Sequence, residues 1–282
     1  MLKQRIITAL AMLAVLLPAL FASNPWPFMG LTMLLIAAGA WEWGRLNGMG
    51  TLGSWLGAGI CLALCGMALQ SDWHLHSPPQ IWLVAGGFWV LLGAWMIHRG
   101  VAGWGRWPQN LRWFVGLFLL MLAWLAMAQA RHRGVNFLLS VLVLVWAADV
   151  FAYFFGRAFG GRWFAVKLAP GISPGKSWEG VLGGMFGVGL IAWIWAGVDS
   201  ALAVSHLSFF SLLFRQGWWI AVPALLFMSA MSVVGDLVES LVKRSAGMKD
   251  SSALLPGHGG ILDRVDALLP TLPLAMMLLT WI

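Results

Sequence analysis

The sequence has few charged residues, and this scarcity excludes a water-soluble protein. Charged residues make up 10% of the 282 residues, whereas a soluble domain carries about 25%. Apolar residues make up 61%, and a water-soluble core cannot bury so much apolar surface. A disordered chain would need the opposite composition. The composition therefore predicts an all-α, polytopic integral membrane protein.

Cysteine is also scarce, which excludes a protein stabilised by a disulfide framework. The two cysteines, Cys61 and Cys65, lie four positions apart in an apolar run, and such a pair forms no metal site by itself. The formal net charge of +7 is a possible signal of nucleic-acid binding. In so apolar a chain it instead indicates membrane orientation and contact with anionic lipid headgroups, so no nucleic-acid partner is expected.

Apolar runs are abundant, and a membrane-spanning helix needs about 20 such residues. Runs bounded by polar, proline or glycine-rich breaks predict about nine transmembrane helices. These lie near residues 6–22, 27–41, 52–70, 80–97, 112–130, 135–155, 178–198, 217–241 and 262–282. The first run follows Lys3 and Arg5 and resembles a signal peptide, but its poor cleavage site and the eight further spans favour a retained helix.

The basic residues predict the orientation of these helices. With a cytoplasmic N-terminus, fourteen of the 17 basic residues lie on the cytoplasmic side, and Arg131, Arg133 and Arg215 lie on the other. This asymmetry follows the positive-inside rule. We divide the chain into residues 1–130, with transmembrane helices 1–5, and a catalytic region at 131–282 with cytoplasmic loops at 156–177 and 242–261.

The ten acidic residues are concentrated in one segment. Half of them lie between positions 236 and 266, and two more, Asp149 and Glu179, flank the preceding cytoplasmic loop. An acidic side chain at mid-span costs roughly 3 kcal/mol, so these residues need partners. Structural ion pairs with Lys243 and Arg244 are one explanation, and an intramembrane polar site is the other.

Spacing favours a site for a hard cation. In a continuous helix, Asp236, Glu239 and Lys243 share a face. Asp263 and Asp266 share a face at the start of the last predicted helix, after a glycine-rich loop at 256–260. A few carboxylates together with substrate phosphates suit Mg²⁺. The surrounding basic residues suit phosphate.

A second polar loop, Ser173 to Gly180, contains Gly-Lys-Ser. It is not a P-loop, because only three residues separate Gly171 from Gly175 and no strand precedes it. We interpret it as an anion-binding loop, with Lys176 beside a helix N-terminus.

These motifs together resemble a known family. The pattern is Ser240-Leu-Val-Lys-Arg, four residues, Lys-Asp, then Leu255-Pro-Gly-His-Gly-Gly-Ile-Leu-Asp-Arg-Val-Asp266. It closely resembles the signature of phosphatidate cytidylyltransferases (CDP-diacylglycerol synthases). Residues 167–170 and 173–180 are also similar to that family, as is Asp149 to Arg157, although Val150 and Phe151 stand where small residues usually follow the aspartate. The resemblance covers about 146–282, and the first five spans share only hydrophobicity with the family.

The resemblance implies a Mg²⁺-dependent enzyme that joins CTP and phosphatidic acid to give CDP-diacylglycerol and pyrophosphate. It also implies a second, monovalent cation such as K⁺, a homodimer, and a site facing the cytoplasm from the bacterial inner membrane. Its metal-binding aspartates correspond to Asp236 and Asp263.

The residues expected at the site fall into three groups. The catalytic group is Asp236, Asp263, Lys243 and Arg264. The substrate-binding group is Ser173, Lys176, Arg244, Lys249, His258 and Asp149. The carboxylates expected to orient these side chains are Glu179, Glu239, Asp250 and Asp266. For His258, protonation of pyrophosphate or nucleotide binding and a hydrogen bond within its loop are equally compatible with the sequence.

Two other functions remain open from the residues alone. CTP-dependent transfer to another lipid, such as a polyprenol, would use the same chemistry. An ion transporter would also carry intramembrane carboxylates, but the charges here cluster at one membrane face and no broken helices repeat between the halves. Gly183-x-x-x-Gly187 is a weak candidate for a dimerisation motif.

Overall fold

The computed structural model describes the backbone of residues 2–282 and the side chains of residues 4–282, so the side chain of Lys3 lies outside the described set. The regular structure in this range is helical, as predicted. The helices in chain order are α1 (Leu2–Phe21), α2 (Trp26–Leu46), α3 (Gly50–Gln70), α4 (Pro79–Trp104), α5 (Gln109–Arg133), α6 (Val135–Phe159), α7 (Trp178–Ala201), α8 (Phe209–Arg215), α9 (Trp218–Ser245), α10 (Leu262–Val265) and α11 (Leu268–Leu279).

Seven helices within the described residues are long and apolar enough to cross a membrane, judged by length and composition: α1, α3, α4, α5, α6, α7 and α9. The protein is therefore a polytopic membrane protein with seven candidate spans. Helix α2 lies where the second span was predicted, but it is not among these seven helices, and Glu42 and Arg45 occupy its last turns.

The predicted ninth span is interrupted. Helix α10 has four residues and α11 has twelve, with a break at 266–267. At this break the Ala267 N–H donates to the Asp266 side-chain Oδ1 at 2.8 Å, and Pro270 has no N–H to donate to the Asp266 carbonyl. The predicted loops are also shorter than expected, because α6 continues to Phe159 and α9 continues to Ser245.

Helices α6 and α7 pack closely through glycines. A Cβ atom at Gly183 would lie 2.2 Å from the Phe155 side chain, and one at Gly187 would lie 2.1 Å from Phe151. The candidate dimerisation motif therefore packs within the chain, where it brings the start of α7 against the end of α6. Helix α5 is at the centre of the bundle, with 67% of its most apolar stretch buried.

Segments that are distant in sequence meet at one end of the bundle. The Thr8 hydroxyl of α1 donates to the Pro256 carbonyl at 2.9 Å. Near the C-terminal end of α2, Glu42 accepts hydrogen bonds from the Ile261 and Leu262 N–H groups. The segment between α9 and α11 thus contacts the first and second helices, at the end where α6 finishes and α7 begins.

Candidate active site

A cavity of about 440 Å³ lies where α6, α9 and the start of α7 meet. Three residues predicted for the site line it: Asp149, Lys176 and Asp236. Arg157 and Ser177 line it as well. The cavity therefore combines acidic and basic side chains from three separate segments of the chain.

Lys176 and Asp236 form an ion pair in this cavity. The Lys176 Nζ lies 2.5 Å from Asp236 Oδ2, with side chains 25% and 31% exposed. The Ser240 hydroxyl donates to Asp236 Oδ1 at 3.3 Å. The negative charge of Asp236 acts on two nearby carboxylates, those of Asp149 and Asp266. One lysine thus faces a group of three carboxylates.

A second charged group is more deeply buried. The Lys243 Nζ lies 2.5 Å from Glu239 Oε2 and 2.6 Å from Asp263 Oδ1. The Lys243 side chain is 14% exposed, and each carboxylate side chain is 6% exposed. A single ammonium group therefore neutralises part of the charge of two buried carboxylates, which is the ion-pair arrangement that the sequence left open.

The second oxygen of Asp263 is held by the loop that precedes it. Asp263 Oδ2 accepts hydrogen bonds from the Ser251 N–H at 2.9 Å, the Ser251 hydroxyl at 2.8 Å and the Gly260 N–H at 2.8 Å. A Cβ atom at Gly259, where φ is +80°, would lie 2.7 Å from this oxygen. Glycine at 259 therefore allows the backbone to wrap closely around the carboxylate.

The loop before α7 places Lys176 at the helix N-terminus, as predicted. The Leu168 N–H donates to the Lys176 carbonyl at 3.3 Å. The Ser177 side chain caps α7 by accepting from the Gly180 N–H at 3.2 Å. Because the cap fixes the first turn of α7, the residue before it has a defined position at the cavity.

Glu179 has a different environment from the one expected. Its Oε1 atom accepts hydrogen bonds from the Trp163 and Phe164 N–H groups at 3.0 and 3.1 Å. The side chain is 1% exposed. Glu179 therefore fixes the backbone of the 160–177 loop, and among the described residues it forms no salt bridge with a basic side chain.

Several residues predicted for the site form no salt bridge with either charged group, that of Lys176 or that of Lys243. The exposed members, which form no salt bridge with any described side chain, are Arg244, Lys249, Asp250 and Arg264. Ser173 is partly exposed and closes a turn by donating its N–H to Ala169. His258 is partly exposed, and its buried Nδ1 atom has no hydrogen-bond partner among the described residues.

Sequence reasoning missed two residues. Arg157 lines the cavity and donates to the Tyr153 hydroxyl at 3.0 Å; it lies in a segment that resembles the family but received no role. Glu42 is fully buried and contacts the loop that holds Asp263. The sequence does contain a signal for Glu42, because it is an acidic residue at the end of an apolar run. Placing such a residue in a membrane is costly, which makes it a candidate for function.

The donor set is compatible with Mg²⁺, although it forms no complete protein cage. Among the described residues, no group of three or more acidic, histidine or cysteine side chains is arranged to hold a metal ion. Mg²⁺ commonly uses one or two carboxylates, with waters and substrate phosphates as its other ligands. Asp236 and Asp263 each have an ammonium nitrogen within 2.6 Å, so each carboxylate would exchange its lysine for the metal ion on binding it.

The fold and the site together define a polytopic membrane protein with clustered carboxylates and lysines at one end of its helices. Comparison with known proteins identifies the family. The model of the cytidylyltransferase family matches residues 3–282, and the chain belongs to this family.

Named relatives agree with this assignment. The chain is 39% identical to a phosphatidate cytidylyltransferase of Pseudomonas aeruginosa, over 99% of the chain and 97% of the relative. It is 34% identical to one of Haemophilus influenzae, over 97% of the chain and 96% of the relative. The predicted family is confirmed, but the resemblance is not limited to 146–282, because these alignments include the first five predicted spans.

Proposed function

We propose that this protein transfers the cytidylyl group of CTP to phosphatidic acid and releases pyrophosphate. Relatives bearing the name phosphatidate cytidylyltransferase match nearly the whole chain. The observation that carries the proposal within the molecule is the cavity in which Lys176 pairs with Asp236 at a helix N-terminus. Such a site offers both cations for phosphate and carboxylates for a metal ion.

The reaction needs charge neutralisation more than it needs a strong base. A phosphate oxygen of phosphatidic acid attacks the α-phosphorus of CTP, the bond from that phosphorus to the bridging oxygen breaks, and pyrophosphate leaves. The attacking phosphate monoester is largely dianionic at neutral pH because its second pKa is near 6. Two unit charges 4 Å apart repel by about 4 kcal/mol at an effective dielectric of 20. Cations and positioning therefore dominate catalysis.

The basic residues would contact different phosphate groups of the substrates. Lys176 and Arg157 line the cavity and would bind phosphate groups there. Lys243 and Arg264 would stabilise charge at the reacting phosphorus or on pyrophosphate. Arg244 would bind a further phosphate group. Lys243 is buried between carboxylates, whereas Arg264 and Arg244 are exposed, so the two arginines are the more accessible to a nucleotide phosphate.

The remaining predicted residues would complete the substrate site. Lys249 and His258 would contact the nucleotide, and Ser173 shapes the turn before Lys176. Asp149 lines the cavity and would face the same substrate. Asp250 would orient a neighbouring cation.

Asp236 and Asp263 are the residues that would hold Mg²⁺. When bound, the metal ion would neutralise part of the triphosphate charge. Glu239 and Asp266 lie close to these aspartates and would orient the lysines and the ligands. The second, monovalent cation implied by the family would need further oxygen ligands from the same carboxylate-rich region.

We also propose nine spans, with the N-terminus in the cytoplasm of a bacterial cell, the site facing the cytoplasm and the chain forming a homodimer in the inner membrane. Helices α2 and α11 would add two spans to the seven candidates. The contact of Thr8 with Pro256 supports this arrangement, because it places the start of α1 at the site end of the bundle. The asymmetry of the basic residues supports the orientation.

One assay tests the function directly. Protein purified in detergent is supplied with CTP and phosphatidic acid, with and without Mg²⁺, and pyrophosphate release is measured. We expect Mg²⁺-dependent release. Asp236→Asn should lower the rate at least about 100-fold, because loss of a proposed metal ligand should cost more activity than loss of a residue that only orients a ligand. Asp72→Asn, which changes an exposed acid between α3 and α4, should leave it unchanged.

Two results would contradict the proposal. The first is full activity of a folded Asp236→Asn variant. The second is a wild-type protein that releases pyrophosphate only with another lipid acceptor, such as a polyprenyl phosphate, or with none.

A further inference from the structure

Glu42 is a buried carboxylate that contacts no basic side chain in the part of the chain that the structure describes. Its side chain lies in the last turns of α2 and is 0% exposed. Burying a charged group is costly unless its oxygens find donors. A residue needed only for packing at this position would be apolar, so the partners of Glu42 indicate its role.

Those partners all belong to the segment that precedes and begins α10. Oε1 accepts from the Ser252 hydroxyl at 2.5 Å and from the Ile261 N–H at 2.9 Å. Oε2 accepts from the Leu262 N–H at 2.8 Å and lies 3.1 Å from the Ser251 hydroxyl. One carboxylate therefore joins the two ends of the segment 251–262 across more than 200 positions of sequence.

The same segment holds Asp263. The Ser251 hydroxyl lies closer to Asp263 Oδ2, at 2.8 Å, than to Glu42. A hydroxyl has a single proton, so the shorter distance favours donation to Asp263, and the Ser251 N–H donates to the same oxygen. Glu42 thus fixes the backbone on both sides of the donors that orient Asp263.

Close approach at Gly260 makes this arrangement specific. A Cβ atom there would lie 2.1 Å from the Ser251 hydroxyl oxygen and 2.2 Å from Glu42 Oε1. Only glycine leaves room for the Glu42 carboxylate beside a backbone whose N–H donates to Asp263. The position of the Glu42 carboxylate therefore requires glycine at position 260.

We propose that Glu42 is a positioning residue for the cytidylyltransferase reaction: acting through the Ser252 hydroxyl and the 260–262 backbone, it holds the Asp263 carboxylate in the orientation that the reaction requires. This inference rests on the proposed function and on the assignment of Asp263 to the site. It gives α2, which lies outside the recognisable signature, a part in building the active site.

The chain offers a matched pair of serines for the test. Ser251 contacts both carboxylates, whereas Ser252 contacts Glu42 and no oxygen of Asp263. The experiment compares Glu42→Gln, Ser251→Ala and Ser252→Ala in the full-length protein. Three quantities are measured: kcat for pyrophosphate release, the half-activating Mg²⁺ concentration, and amide hydrogen exchange of the peptide spanning 251–262.

We expect Glu42→Gln and Ser251→Ala each to lower kcat or raise the half-activating Mg²⁺ concentration by about 10- to 100-fold, as outer-shell substitutions do. Ser252→Ala removes one hydrogen bond to Glu42 and none to Asp263, so its loss should be smaller than that of Glu42→Gln. The double variant Glu42→Gln/Ser251→Ala should be no worse than the stronger single variant, since both act on one carboxylate. Exchange in 251–262 should accelerate in Glu42→Gln.

Two outcomes would overturn the inference: wild-type kcat and Mg²⁺ dependence in a folded Glu42→Gln variant, or hydrogen exchange of the 251–262 peptide that stays at the wild-type rate in that variant. If Glu42→Gln does not fold, Ser252→Ala decides, because it removes a contact of Glu42 and no donor to Asp263. A Ser252→Ala variant that matches wild type in kcat, Mg²⁺ dependence and exchange would then overturn the inference. An inactive wild-type protein would refute the proposed function instead. The exchange measurement, which needs no substrate, would then show separately whether Glu42 orders the segment.

Discussion

Replacing Lys243 should destabilise the protein, and the structure gives the size of the effect. Its Nζ lies 2.5 Å from a Glu239 oxygen and 2.6 Å from an Asp263 oxygen. These two oxygens are therefore at most about 5 Å apart, and among the described side chains Lys243 is the one cation that forms a salt bridge with them. Lys243→Met keeps most of the aliphatic volume and removes the charge.

The magnitude follows from the distances. Two unit charges about 5 Å apart repel by about 3 kcal/mol at an effective dielectric of 20. Removing one partner from a buried pair costs about 3–5 kcal/mol. We expect Lys243→Met to lose free energy of unfolding in that range, and Lys243→Met/Glu239→Gln to regain about 3 kcal/mol. The double variant should remain inactive, since the cation is still missing.

Unfolding in a titration of mixed micelles with sodium dodecyl sulfate, followed by tryptophan fluorescence, measures these differences. Arg215→Met is the control, because Arg215 is exposed and forms no salt bridge with a described side chain; it should change stability by less than about 0.5 kcal/mol. A Lys243→Met variant as stable as wild type would refute the reasoning. So would the absence of rescue by Glu239→Gln.

Two other features of the molecule yield expected outcomes. Gly184→Ala should cost about 1–3 kcal/mol in the same unfolding assay, because its Cβ would lie 2.8 Å from the Ala148 carbonyl oxygen. Gly189→Ala, with nothing within 4 Å, should stabilise α7 by up to about 1 kcal/mol, and equal effects would contradict the packing. In a variant without native cysteines, Asp72→Cys should react with an impermeant maleimide in spheroplasts, whereas Lys249→Cys should react only after permeabilisation; the reverse would invert the proposed orientation.

The sequence predicts the long helices because apolar length is sufficient to identify them. It does not predict where a helix is interrupted, because interruption depends on individual hydrogen bonds. The last predicted span is divided where the Ala267 N–H donates to the Asp266 side chain and where Pro270 lacks a donor. Helix α8 starts at a cap formed by the Ser208 hydroxyl and the Ser211 N–H, a local signal too short to register as a span.

The site is predictable only in part, for a similar reason. Helical spacing places Asp236, Glu239 and Lys243 on one face, and the contact of Lys243 with Glu239 agrees with it. The same spacing cannot show that Asp236 pairs with Lys176 from another loop. Glu42 was missed because its partners are more than 200 positions away. Tertiary packing decides which charged side chains contact one another, and residue spacing along a single sequence does not show those contacts.

Charge pairing also separates the basic residues by what they can do for an anionic substrate. Lys243 lies between two buried carboxylates, so its positive charge is offset locally and attracts no anion from a distance. Lys176 has one carboxylate in contact and is a quarter exposed, so it can exchange that partner for a phosphate group. Exposed cations such as Arg244 and Arg264 form no salt bridge with described side chains. Under the proposed function, their unneutralised charge would supply the long-range attraction for CTP, while the buried lysine would fix the geometry that the bound substrate meets.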